Sequence, residues 1–210
     1  MIILTLTLLL PFVVILLLRA DYSNRRRQVY VLKPLATGLV LLICLLQPPE
    51  IGLLYRRLIV AGLLFSLLGD IFLMLPADRF IHGLASFLAT HILYFAAFVA
   101  TSGIQLRLIP LAPILLLGLG FLRLLLPHTR TKTIPVIFYA VVLTLLLWQA
   151  TGRLLLTVNH STILALIGTA VFIFSDCTLV INRFVSRFRS AQIVILTSYY
   201  LAQLCIAYSV

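Results

Sequence analysis

Acidic side chains are scarce in this chain: Asp and Glu number 5 in 210 residues, against 16 Lys and Arg. Charged residues of both signs make up only 10% of the sequence, well below the usual share for a soluble domain, so a water-facing surface around one core is excluded. Cysteine is equally sparse. Cys44, Cys177 and Cys205 lie in apolar stretches without paired or metal-type spacing, which rules out a disulfide framework and leaves packing thiols. Several catalytic signatures are missing. His82, His128 and His160 match no HExxH spacing, and there is no GxSxG elbow, Walker loop or Cys–His arrangement, which weakens serine-esterase and nucleotide-driven readings.

What the chain does have is apolar length. Hydrophobic residues make up 63% of it, and apolar runs bounded by charge, Pro or Gly fall at about 2–19, 31–47, 57–75, 81–100, 104–126, 134–150, 162–181 and 191–209. A hydrocarbon core about 30 Å thick takes roughly 20 residues per helix. The expected fold is therefore all-α: one polytopic transmembrane domain over 1–210, a bundle of about eight helices with no room for a separate soluble domain. The N-terminal MIILTLTLLLPFVVILLL has its charges after the apolar run, at Arg19, Arg25, Arg26 and Arg27, and is expected to be a retained first helix rather than a signal peptide.

The positive excess sits at helix ends, so it reads as topology and lipid-headgroup contact, and no nucleic-acid partner is expected. With eight crossings, the loops after helices 1, 3, 5 and 7 carry Arg19, Arg25, Arg26, Arg27, Arg79, Arg130, Lys132, Arg183, Arg187 and Arg189. The opposite side has only Arg56, Arg57, Arg107 and Arg153. The positive-inside rule makes the first side cytoplasmic and puts both termini outside, which suits a bacterial inner membrane. A faint internal repeat accompanies this pattern. Helix 2 opens with Lys33–Pro34 and helix 6 with Ile134–Pro135, while helix 3 ends GDIFLMLPADRF and helix 7 ends SDCTLVINRF. Two parallel four-helix halves, 1–103 and 104–210, are the corresponding expectation.

Three of the five acids, Asp21, Glu50 and Asp78, fall in expected loops, where they are solvated. Asp70 and Asp176 lie inside helices 3 and 7 at similar depth toward the basic side. Ionised carboxylates in hydrocarbon are costly, so residues of this kind face the bundle interior and mark functional sites, the alternative being a structural hydrogen bond or a snorkelling end residue. On helix 4, Phe80, Gly83, Phe87, His91 and Tyr94 share one face. His91 is either a direct participant or a satisfied interior histidine. Ser66, one turn before Asp70, and Ser175 and Asn182 beside Asp176 are candidate binding groups, as are Thr197, Tyr199, Tyr200 and Gln203 on helix 8, which equally fit interhelical hydrogen bonding. Lys33 fits a phosphate, an aspartate or a lipid headgroup. Asp70, Asp176 and His91 are chemically able to hold a metal, but nothing in their spacing requires one, and no metal or cofactor is assigned.

These residues carry a resemblance. FSLLGDIFLML with RFIHGLASFLATHILYFAAF, and GTAVFIFSDCTLVINRF with TSYYLAQLCIAYS, resemble the YhhN-type lysoplasmalogenase family. The resemblance implies a membrane hydrolase that cleaves the vinyl ether bond of lysoplasmalogens to a fatty aldehyde and glycerophosphoethanolamine or glycerophosphocholine. Its substrate would be a lysophospholipid reached from the cytoplasmic leaflet, with the phosphate held by Lys33 or the loop arginines. Vinyl ethers hydrolyse through protonation of the outer carbon and water attack on the resulting oxocarbenium ion. The expected catalytic set is thus Asp70 and Asp176, one as acid and one as carboxylate, with His91 and Tyr94 orienting water or the lipid oxygen. Two other classes stay open: a proton-coupled lipid or small-molecule transporter, and a metal-dependent lipid amidase.

Overall fold

A computed structural model describes residues 1–77, 79–129 and 132–210. Asp78 and Arg130, both assigned to loops above, lie outside the described residues. Among the described residues there are eight α-helices and no strand: α1 (Ile2–Tyr22), α2 (Arg26–Leu46), α3 (Leu53–Met74), α4 (Phe80–Ser102), α5 (Leu108–Thr129), α6 (Thr133–Leu156), α7 (His160–Phe184) and α8 (Ala191–Tyr208). All eight are long and apolar enough to cross a membrane. A helix satisfies its own backbone polar groups, which hydrocarbon cannot do. Pro11, Pro34, Pro113 and Pro127 lie within helices without ending them, as membrane helices tolerate.

The ends follow local chemistry. Asn159 caps α7 by accepting a hydrogen bond from the Thr162 amide at 2.9 Å while the Thr162 hydroxyl accepts one from the Asn159 amide at 3.1 Å. This reciprocal box sets where α7 begins, and hence the register of Asp176 further along it. The turn between α1 and α2 passes through Asn24 at φ 54°, a left-handed position that asparagine tolerates better than most residues. Gly103 ends α4 at φ 67°, and its carbonyl accepts a hydrogen bond from Gln149 Nε2 at 2.7 Å, tying the α4–α5 turn to α6.

The most extensive packing joins α3 to α4 and α7 to α8, two antiparallel hairpins with short connections, and α5 lies at the edge against α6 and α7. Small residues set the spacing of the first hairpin. Gly62 receives the Tyr94 ring, and a Cβ at Gly69 would lie 3.0 Å from the Phe87 ring. These approaches seat the polar face of α4 against α3, as small residues generally do where lipid supplies no hydrophobic drive between helices. Outward-facing residues such as Leu4, Leu8 and Phe12 on α1 and Leu116, Leu117 and Leu119 on α5 are exposed, the arrangement expected of a lipid-facing surface.

One assignment changes. Arg153, expected among the loop charges of the sparsely basic side, lies within α6 and is buried. Its guanidinium donates to the Tyr55 hydroxyl at 3.0 Å and Ser161 Oγ at 3.1 Å, and stacks over the rings of Tyr55 and Phe98. Helix α6 continues to Leu156, beyond the run expected to end near residue 150, so this cation is carried inward, where hydroxyls and aromatic faces stabilise it. Helix α1 likewise extends to Tyr22, placing Asp21 on its last turn rather than in a loop.

Candidate active site

Two hydrogen-bonded clusters, each centred on an aspartate, occupy the interior. Asp70, on α3 and 1% exposed, is 3.1 Å from Lys33 Nζ of α2 through Oδ1. Its Oδ2 accepts hydrogen bonds from Thr37 Oγ1 at 2.6 Å and from the Tyr199 hydroxyl of α8 at 2.7 Å. Lys33 and Thr37 are one helical turn apart, so both reach the same carboxylate. Tyr200 donates to the Lys33 carbonyl at 3.2 Å. Its two oxygens are thus taken up by one ammonium group and two hydroxyl donors.

Asp176, on α7, is buried among other partners. His91 Nε2 of α4 lies 2.9 Å from Asp176 Oδ2, and the Tyr139 hydroxyl of α6 donates to the same oxygen at 2.6 Å. His91 Nε2 is also 3.1 Å from that hydroxyl. The Phe172 ring packs edge-on against His91 with centroids 4.6 Å apart. No side chain partners the buried His91 Nδ1 among the described residues. His91 Nε2 and Asp176 Oδ2 are within hydrogen-bond distance, so an imidazole and a carboxyl group are placed where a proton can pass between them.

The clusters are built alike. The α3 aspartate draws partners from α2 and α8, and the α7 aspartate from α6 and α4. No hydrogen bond or ion pair joins the two aspartates. Contact between the clusters runs through aromatic rings instead, since Tyr199 packs edge-on against Phe172 at 5.5 Å and Phe172 against His91. Asp70, Asp176 and His91 therefore do not form one donor set, and no group of three His, Cys, Asp or Glu suited to a metal ion occurs among the described residues.

The remaining candidates fall into distinct roles. Tyr94 donates to Gln203 Oε1 at 2.8 Å, and Gln203 Nε2 donates to Ser66 Oγ at 2.6 Å, a buried chain across α4, α8 and α3. Ser175 donates to the Ile195 carbonyl at 2.9 Å and binds α7 to α8. None of these residues lines a cavity described here, nor does Tyr200. Asn182 does, and it also accepts from the Phe188 amide at 3.3 Å. Thr197, by contrast, is exposed and bonds within its own helix to Ile193.

Two cavities border the clusters. One, about 490 Å³, opens at the basic end between α1, α2, α7 and α8 and is lined by Asp21, Arg26, Lys33, Asn182, Arg183 and Arg187 among others. The other, about 390 Å³, lies between α5, α6 and α7 and is walled by apolar side chains such as Leu117, Phe121, Leu143 and Ile173. Tyr139 and Asp176 form part of its wall, and among the described residues Asp176 is the one carboxyl group there. Both volumes lie in the usual range for small-molecule sites. Sequence reading overlooked Tyr139 and Thr37. A tyrosine in mid-helix must find a hydrogen-bond partner when buried, and a threonine one turn beyond a buried lysine shares its face; those were the available signals.

Comparison with known proteins points the same way. Lysoplasmalogenase TMEM86B of Sus scrofa is 34% identical over 175 residues, covering 80% of this chain and 70% of that protein. Lysoplasmalogenase TMEM86A of Bos taurus is 31% identical over 156 residues, covering 72% of this chain and 64% of its own length. The uncharacterized membrane protein YhhN of Escherichia coli O157:H7 is 27% identical over 183 residues, 86% of each chain. No solved structure gives a significant match. The family model for YhhN matches residues 28–210, and with these relatives it shows that the chain, an eight-helix membrane protein, belongs to the YhhN family.

Proposed function

We propose that this protein hydrolyses the vinyl ether bond of lysoplasmalogens, releasing a fatty aldehyde and glycerophosphoethanolamine or glycerophosphocholine. The names of its mammalian relatives support that substrate class. The observation that carries the reading is the position of Asp176: a carboxyl group coupled to His91 and Tyr139 and set in the wall of an apolar cavity. The alkenyl chain occupies that cavity. The headgroup lies in the polar cavity, toward which α7 runs from Asp176 to Asn182, an axial rise of about 9 Å over six residues.

In this reading the protonated Asp176 gives its proton to the outer vinyl carbon, and the inner carbon with its ether oxygen becomes an oxocarbenium ion. The new carboxylate, held by the Tyr139 hydroxyl, stabilises that cation across a low-dielectric gap. Water adds to the inner carbon and returns a proton to the His91–Asp176 pair, which restores the acid. The hemiacetal then collapses to aldehyde and the glycerol hydroxyl. Asp70 is the permanent carboxylate of the two aspartates. It holds Lys33 at the floor of the polar cavity and adds negative charge on the far side of the Phe172 and Tyr199 rings. Ser66, Tyr94 and Gln203 hold α3, α4 and α8 in register behind the site.

The excess of basic residues at the polar-cavity end supports a cytoplasmic position for that end and outside termini, in a bacterial inner membrane. The deciding assay compares a 1-alkenyl and a saturated 1-alkyl lysophospholipid with the same headgroup, each with and without a chelator. Aldehyde from the alkenyl lipid alone, unaffected by the chelator, is the expected result. Cleavage of both lipids, or of neither, contradicts the reading, and loss of activity with the chelator returns the metal-dependent class to consideration.

A further inference from the structure

The polar cavity contains an acid that the catalytic account does not use. Asp21 lies on the last turn of α1 and lines the cavity together with Arg26, Lys33 and Arg187. A carboxylate there faces the negative end of the helix dipole, an unfavourable position. Despite the cations in the same wall, Asp21 makes no ion pair among the described residues, and its side chain makes no hydrogen bond there. Lys33 pairs with Asp70 at 3.1 Å and attracts Asp21 only from beyond ion-pair distance. The ring of Tyr30 lines the same cavity. The wall therefore presents several positive groups, one carboxyl group without an ion-pair contact, and the aromatic residues Tyr30 and Phe80.

That combination matches a zwitterion. A phosphate suits the guanidinium groups of Arg26 and Arg187 and the Lys33 ammonium. A primary or quaternary ammonium suits a carboxylate flanked by an aromatic ring. We infer that Asp21, with Tyr30, is the ammonium-recognising half of a headgroup site and selects zwitterionic lysophospholipids over anionic ones. The inference rests on the hydrolase reading for the identity of the lipid, but not for the binding itself. Asp21 precedes residues 28–210, the stretch that matches the family model, whereas Tyr30 lies within it.

The test uses two saturated ether lipids that the proposed reaction cannot cleave, a 1-alkyl-glycerophosphoethanolamine and a 1-alkyl-glycerophosphate of equal chain length. Binding of each to the full-length purified protein is read from the concentration dependence of its thermal stabilisation. Wild type is expected to prefer the ethanolamine lipid, and Asp21→Asn to lower that preference about fivefold, the scale of a partly exposed ion pair. Asp21→Glu is expected to retain it. Should Asp21→Asn fail to fold, Tyr30→Leu supplies the second variant, with a selective loss of binding to the matching choline lipid. No preference in wild type overturns the inference, as does an Asp21→Asn protein with an unchanged ratio. So does a Tyr30→Leu protein whose choline-lipid and glycerophosphate-lipid affinities fall together. Headgroup preference without aldehyde release from an alkenyl lipid removes the hydrolase reading and leaves the site standing. Aldehyde release without headgroup preference removes the site alone.

Discussion

His91 Nε2 meets Asp176 Oδ2 at 2.9 Å inside the bundle, joining α4 to α7 across 85 residues of sequence, and the Tyr139 hydroxyl of α6 closes the triangle at 2.6 Å from the same oxygen. In the proposed mechanism the imidazole, the carboxyl group and the phenol share one proton, which lets the acid be regenerated within the site. The apolar wall beside Asp176 keeps bulk water from competing for that proton.

Removing the phenol tests this triangle. Tyr139→Phe keeps the ring but deletes the donor to Asp176, and hydrogen bonds to charged groups contribute roughly 1.5–3 kcal/mol. The rate of aldehyde release is expected to fall about 10- to 100-fold with little change in KM, measured with a saturating alkenyl lysolipid.

The Lys33–Asp70 pair behaves differently. Breaking a buried ion pair leaves one charge uncompensated, so Lys33→Met alone is expected to destabilise the fold by roughly 3 kcal/mol, while the double variant Lys33→Met/Asp70→Asn recovers much of that loss. Thermal unfolding of the four proteins in one detergent gives the coupling directly, and additive losses would show that the pair stands alone energetically.

Chain length tests the apolar cavity. Ala140 lines it between α5 and α6, and Ala140→Trp fills space that the alkenyl chain requires. Buried methylenes carry about 1–3 kcal/mol of discrimination each. A rise in KM of about tenfold or more is expected for long-chain lipids, and a smaller rise for short-chain ones.

Packing of the second hairpin depends on Gly168. A Cβ there would lie 2.7 Å from Ile206 Cγ1 and 3.0 Å from the Ala202 carbonyl oxygen. The side chain can yield, but the backbone oxygen cannot yield easily. Gly168→Ala is expected to cost about 1–3 kcal/mol, whereas Gly120→Ala, with nothing within 4 Å of its Cβ, is expected to be neutral or slightly stabilising. Melting temperatures of the two variants decide the matter.

Much of the fold was legible because hydrocarbon leaves so few options. Eight apolar runs became eight helices, and the face of α4 from Phe80 to Tyr94 is buried as its spacing indicates. The cost of an acid in lipid singled out Asp70 and Asp176, and both are interior. What periodicity does not specify is which partner each acid takes. Lys33 reaches Asp70 and His91 reaches Asp176 because of how α2 and α4 are rotated against their neighbours, and that rotation depends on glycine contacts such as Gly69 with Phe87. In sequence Arg153 reads as a loop residue because its charge falls near a helix end, although Tyr55, Phe98 and Ser161 hold it inside the bundle.

The central claim is that Asp176 donates the proton that starts vinyl ether cleavage. It is tested most directly by aldehyde release from Asp176→Asn, in which the amide keeps the shape of the side chain but has no acidic proton to give. A general acid contributes about 10²- to 10⁴-fold. The account predicts a loss of that size in a protein that melts like wild type and still binds the saturated ether lipid. Activity within a few-fold of wild type would show that the proton comes from another group and would contradict the account.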